Sequence, residues 1–166
     1  MKGDPAIIRT LNAVLTNELT AVNQYFLHAR MFESWGLKHL GKIVYDESIG
    51  EMRHADKLIK RIRFLDGLPN MQDLHKLKIG ESCVECLGAD LQLEIDGRAA
   101  QLAAIAQCEA SSDFVSRQIL MEILSDTEEH IDFLEAQFKL IEQLGEQNYL
   151  QSAMTEIATD NSATGG

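Results

Sequence analysis

The sequence predicts an all-α fold: a four-helix bundle with a long connection between its second and third helices and a short fifth helix. Three observations point there. Apolar residues recur at alternating steps of three and four through four long segments. Strand-like alternation is absent, and Pro5 and Pro69 are the only prolines. The connections differ in length, two being short and one, residues 66–81, long enough to cross the length of a bundle.

The first helix starts at Asp4-Pro5, a capping residue followed by a proline suited to the first turn, and stops near Gly36. The second runs from about Lys38 to Leu65, ahead of the breaker stretch DGLPN. Ser82 starts the third, with Glu85 three positions on completing a capping box, and the helix ends near Ser111–Ser112. The fourth begins at Asp113 and stops at Gly145, and a fifth is expected over Asn148 to Ile157. Short connections make antiparallel hairpins of helices one and two and of three and four, so the crossover leaves helices two and three parallel. With 166 residues the chain makes one domain, residues 1–157, and the tail 158–166 (TDNSATGG with its preceding Ala) has a disorder-like composition.

Composition narrows the function. Fifteen Lys and Arg against 26 Asp and Glu give a net charge of −11, which disfavours a nucleic-acid partner and favours cations as clients. No apolar run reaches membrane-spanning length, the N-terminus lacks an apolar signal core, and a cytoplasmic location is expected. Three cysteines, Cys83, Cys86 and Cys108, fit a reducing compartment better than a disulfide framework. Cys83 and Cys86 have redox-pair spacing, but no strand precedes them and no second pair exists, so they read as structural. His28, His39 and His75 read as surface or interface residues.

Each apolar stripe is interrupted by polar residues. Helix one presents Leu11, Leu15, Glu18, Val22, Tyr25, Ala29 and Phe32; helix two Leu40, Val44, Glu47, Glu51, His54, Leu58, Ile62 and Leu65. Helix three gives Val84, Leu87, Leu91, Glu94, Arg98, Leu102 and Ile105, and helix four Leu120, Ile123, Thr127, His130, Leu134 and Ile141. Glu18, Glu51, His54, Glu94, Thr127 and His130 all fall near helix midpoints, so they meet at one level whichever way the helices run. Buried carboxylates beside imidazoles call for cations or shared protons, and oxygen and nitrogen donors without thiolate suit iron, manganese or zinc. A Glu from each of two helices with Glu-x-x-His from the other two is the ligand rule of di-iron bundles. Five of its six positions are met here, Thr127 standing where the sixth carboxylate belongs. Asp126 lies about 100° off the stripe; Glu47 is a candidate outer acid and Tyr25 a neighbour of the site by register. A second apolar strip on helix two, Tyr45, Ile49, Met52 and Ile59, needs a partner surface, such as the same helix of a second copy.

Over residues 1–157 the chain resembles the bacterioferritin family. The resemblance is carried by MKGD, NELTAVNQYFLHARMFESWGLK, ESIGEMRHADKLIKRI, FLDGLPN, LKIGE, EEHIDFLEAQ and QNYLQ. It implies a ferritin-like bundle assembled from two-fold dimers into a hollow 24-subunit shell that stores ferric mineral, and a ferroxidase that oxidises Fe(II) with oxygen or peroxide. By this resemblance Glu18 and His54 serve one iron, Glu94 and His130 the other, and Glu51 bridges them. The second bridge is replaced by Thr127, which implies impaired oxidation in this chain. Asp46 and Gly50 stand where the family often has a histidine and an aspartate facing the cavity. Met52, within EMRHAD, matches the methionine that ligates haem b from both sides of a dimer interface, with Met31 as a pocket wall. Partners implied are a second, oxidation-competent subunit type and a small ferredoxin. The alternative reading is a mainly structural and electron-transferring haem subunit.

Overall fold

The computed structural model describes residues 1–154, all of whose regular elements are helices: α1 Pro5–Ser34, α2 Lys38–Phe64, α3 Cys83–Ala110, α4 Phe114–Leu144 and α5 Glu146–Ala153. The four-helix fold class stands as expected. The fifth helix begins two residues earlier than expected, directly after Gly145, whose positive φ of 77° reverses the chain. The expected end at Ile157 and the tail 158–166 lie outside the described residues.

Local chemistry sets the helix ends. Asp4 accepts a hydrogen bond from the Ala6 amide, Ser82 from Glu85 and Asp113 from Ser116, each supplying an acceptor for an amide the helix cannot satisfy itself. Three C-termini close with one device. The residue past the cap takes positive φ (Gly36, Asp66, Ser112), and the next amide reaches back to Phe32, Ile62 and Cys108 carbonyls respectively.

α1 packs on α2, and α3 on α4, as hairpins. Tight approach of the first pair depends on Gly41, where a Cβ would lie 3.0 Å from the Ala29 carbonyl oxygen. The crossover joining the hairpins is tied along α1 by side chains. Asn12 accepts from the Asn70 amide and donates to the Leu68 carbonyl; Thr20 accepts from His75, Gln24 from Lys78 and His28 from Gly80. Partners rise together along both segments, so the crossover runs alongside α1 and starts α3 at the level where α2 began. That makes α2 and α3 parallel, as the connection lengths suggested.

Two expectations are corrected. His28 is fully buried, with Nδ1 2.8 Å from Asp90 Oδ1 and Nε2 accepting from Gly80, so it ties the crossover rather than lying on a surface. The buried face of α3 is not the expected one: it runs Cys83, Cys86, Leu87, Asp90, Glu94, Gly97, Gln101, Ala104 and Cys108. Leu102 is 41% exposed. Close packing of α3 requires small residues such as Gly97 and Ala104 at the seam, and larger apolar residues are left at its margins.

The core is in two parts. One cluster holds Ile7, Leu11, Leu15, Leu58, Ile62, Leu120 and Ile123; the other holds Tyr25, Phe32, Leu40, Val44, Leu87, Leu134 and Tyr149. Between them lies a polar waist.

Candidate metal centre

Each waist residue is placed by the helical periods around it. Glu18 lies three positions after Leu15 on α1, Glu51 and His54 follow Val44 at steps of seven and three on α2, and Thr127 and His130 continue from Ile123 on α4. Apolar residues above and below each one drive burial of the face, and the polar side chains are buried with it. Glu18, Glu51, His54, Glu94 and Thr127 are all buried, and His130 retains 15% side-chain exposure.

Two triads result, Glu18–Glu51–His54 and Glu51–Glu94–His130, each with donor atoms within 4.8 Å of one another. Glu51 belongs to both. His54 Nδ1 is 3.1 Å from Glu18 Oε2 and 3.0 Å from Glu51 Oε2. His130 Nδ1 is 3.1 Å from Glu51 Oε1 and 3.1 Å from Glu94 Oε1. Both rings therefore turn Nδ1 inward and Nε2 outward. Outside, His54 Nε2 meets Asp126 at 2.8 Å and His130 Nε2 meets Glu47. Asp126 thus does not swing into the position left by Thr127; it orients a histidine from outside, as Glu47 does on the other ring. A carboxylate on the far nitrogen of an imidazole fixes the ring's direction and raises its basicity.

Electrostatics follow from burial and these contacts. Burial alone lowers the His54 imidazole, yet its hydrogen bonds to Glu18 and Glu51 outweigh it and hold the ring up at about 11. His130 likewise is pulled down by burial and pushed up to about 12 by Glu47, Glu51 and Glu94. Burial raises Glu51, but contacts with His130, His54 and Glu18 outweigh it and keep the carboxylate well below the usual range. Glu18 is raised by burial and by the charge on Glu51, and Glu94 is pushed up to about 7, mainly by burial. Burial and the neighbouring Glu94 keep the Tyr25 hydroxyl protonated, and it donates to Glu94. Protons thus compensate the buried carboxylates here, and a divalent cation placed among these donors would displace them.

Glu51 Oε1 is buried and accepts no hydrogen bond. That oxygen, in ion-pair contact with His130 Nδ1 at 3.1 Å, fits an incoming cation. So does the donor set, which is oxygen and imidazole only.

Gln101 was not anticipated. It is 1% exposed, and its Nε2 donates to Thr127 Oγ1 at 2.9 Å and to Glu18 Oε1 at 3.3 Å. Threonine is one hydroxyl where a carboxylate was expected, and the α3 amide takes up the space and the hydrogen-bonding capacity left over. Steps of three and four below Glu94 reach Gly97 and Gln101, a signal the sequence contains but the apolar pattern of α3 obscures.

Met52 lies on the outer side of α2, 45% exposed, on a strip with partly buried Tyr45, Ile49 and Ile59. Met31 is partly buried against the upper core. Cys83, Cys86 and Cys108 are buried free thiols; burial pushes Cys83 and Cys108 up to about 11, which leaves them unreactive core residues as expected. No helix among the described residues is long and apolar enough to cross a membrane.

Comparison with known proteins agrees with this geometry. The ferritin-like domain family matches residues 8–144. The bacterioferritin of Brucella melitensis is 48% identical over 151 residues, spanning 91% of this chain and 94% of its own. The bacterioferritin of Mycobacterium bovis is 46% identical over 159 residues (96% and 100%), and that of Streptomyces coelicolor 44% identical over 165 (99% of each). Fold, waist and these identities together make the chain a member of the bacterioferritin family.

Proposed function

We propose that this chain is an iron-storage subunit whose waist binds ferrous iron and whose own oxidation of it is impaired. The observation that carries this reading is the convergence of Glu18, Glu51, His54, Glu94 and His130 at one buried point, Glu51 contacting both imidazoles, beside a threonine already held by Gln101. In this reading Glu18 and His54 hold one iron, Glu94 and His130 a second, and Glu51 bridges. Tyr25 is the neighbouring group that donates to Glu94. Two Fe(II) give up one electron each, and the acceptor is dioxygen, which with two protons leaves as hydrogen peroxide, or hydrogen peroxide, which with two protons leaves as two water molecules. Two ferrous ions carry four positive charges, against which Glu18, Glu51 and Glu94 offer three negative ones. The neutral Thr127 hydroxyl is a weaker ligand for a hard cation than a carboxylate.

The wider reading is a cytoplasmic hollow shell of 24 subunits built from two-fold dimers, taking iron in and storing it as ferric mineral, without nucleic-acid or membrane partners. Haem b fits the α2 strip. A thioether is a neutral, soft ligand of haem iron, and Met52 presents one outward amid apolar neighbours. Met52 from each of two copies would hold the group, which when bound supplies one-electron transfer for releasing stored iron, with a small ferredoxin as the electron source.

A second reading is favoured by the Thr127–Gln101 hydrogen bond: a mainly structural and electron-transferring haem subunit, co-assembled with a subunit type whose waist is complete. One measurement tests the impairment that both readings share. Oxygen and peroxide consumption after Fe(II) addition to the homopolymer is expected to be slow, and Thr127→Glu is expected to raise it by about tenfold or more. A wild-type rate equal to that of a bacterioferritin with glutamate at this position overturns the proposed impairment.

A further inference from the structure

We infer that Gln101 closes one of the two cation positions, so that this chain's waist takes a divalent cation first at Glu51–Glu94–His130, and at Glu18–Glu51–His54 at least about tenfold more weakly. The inference rests on the metal-binding reading above and sharpens it.

The two halves are alike in their inward Nδ1 atoms and their outer acids, so the asymmetry lies elsewhere. In the Glu18 half, an amide N–H of Gln101 already occupies Glu18 Oε1. A cation there must take that oxygen for itself, and the N–H carries a partial positive charge toward the place the cation would fill. Releasing Glu18 leaves a buried donor with one acceptor fewer, in a side chain whose Oε1 is already unpaired.

In the other half the donor on the terminal carboxylate is the Tyr25 hydroxyl, on Glu94 Oε1, and a phenol oxygen can accept as well as donate whereas an amide NH2 only donates. Glu51 Oε1 accepts no hydrogen bond and stands 3.1 Å from His130 Nδ1. A cleft lined by Tyr25, Val44, Glu47, Glu94, His130 and Leu134 opens on two of this half's donors, Glu94 and His130. Gln101 is thus a positioning residue, acting on the waist through Glu18 and Thr127.

The test uses Co(II) as probe on the assembled protein, with equilibrium dialysis for affinity and anomalous diffraction at the cobalt edge for place. Wild type is expected to fill Glu51–Glu94–His130 with one Co(II) per subunit before any appears beside His54. Gln101→Leu, and Gln101→Met as a variant closer in shape, remove the amide donor. Each is expected to tighten the second position at least about tenfold, to two Co(II) per subunit at concentrations where wild type holds one. Two Co(II) of equal affinity in wild type, or an unchanged ratio in both variants, overturns the role given to Gln101. Absence of Co(II) from the waist in every variant overturns the metal-site reading itself.

Discussion

At the scale of single residues, the waist is governed by which atom of each side chain faces in. His54 and His130 present Nδ1 to the carboxylates and give Nε2 to Asp126 and Glu47, so residues that look like spare ligands in sequence act instead as holders of rings. Five of the six waist positions were legible because acids and histidines in an apolar stripe are costly, and that cost marks them. Gln101 was not legible: an uncharged amide in a helix carries no such mark, and its importance depends on what stands across the bundle at Thr127. Met52 belongs to the same scale. Its exposed side chain lies outside the waist, on a strip of α2 about 100° round the helix from the proposed iron ligands. Met52→Leu is therefore expected to abolish haem absorbance of the reconstituted protein while leaving its Co(II) uptake at the waist unchanged. A retained haem spectrum in that variant would assign the ligand elsewhere.

At the scale of elements, caps were easily read and faces less so. Asp4, Ser82 and Asp113 all cap as the sequence signals. α3 was misread because Leu91, Leu102 and Ile105 suggest one face while Gly97, Gln101, Ala104 and Cys108, small or polar, form the true seam. Hydrophobicity ranks residues by transfer energy, whereas a closely approached helix selects by size. Asp113 offers a prediction with a definite sign. It caps α4, accepts from Ser116, and pairs with Arg61 Nη2 at 2.6 Å, joining the end of α2 to the start of α4. Burial raises its carboxyl, but the Ser116 and Arg61 contacts outweigh it and lower the group below its ordinary 3.8. A depressed folded pKa gives stability that is present above the unfolded value and is lost as pH falls through the folded one. Asp113→Asn is expected to cost about 1 kcal/mol at pH 7. The gap in thermal midpoint between variant and wild type should shrink as pH drops below 3.8; a gap constant with pH would remove the charge from the explanation.

For the whole molecule, hairpin pairing and the parallel course of α2 and α3 followed from connection lengths, and the crossover's path did not. Its path is fixed by Asn12, Thr20, Gln24 and His28, polar residues on the face of α1 opposite to what apolar periodicity records, spread over about 24 Å of helix. Gln24 shows what such a rung contributes: Nε2 donates to Asp90 Oδ1 at 2.8 Å and Oε1 accepts from the Lys78 amide at 3.0 Å. Gln24→Leu strands the Lys78 amide and leaves the buried Asp90 carboxylate with His28 but without its amide donor, at a cost of about 1–3 kcal/mol. Hydrogen exchange is expected to accelerate at residues 75–82 well before it does in α2 or α4; equal acceleration everywhere would mean that the segment has no local stability of its own.

The rungs that guide the crossover all belong to α1, which precedes it in the chain. Contacts between the hairpins, Arg61 with Asp113 and Tyr25 with Glu94 among them, settle which faces meet. The rungs settle something else, the route by which the chain passes from one hairpin to the other, and they do it by laying a segment with no regular structure of its own against a helix.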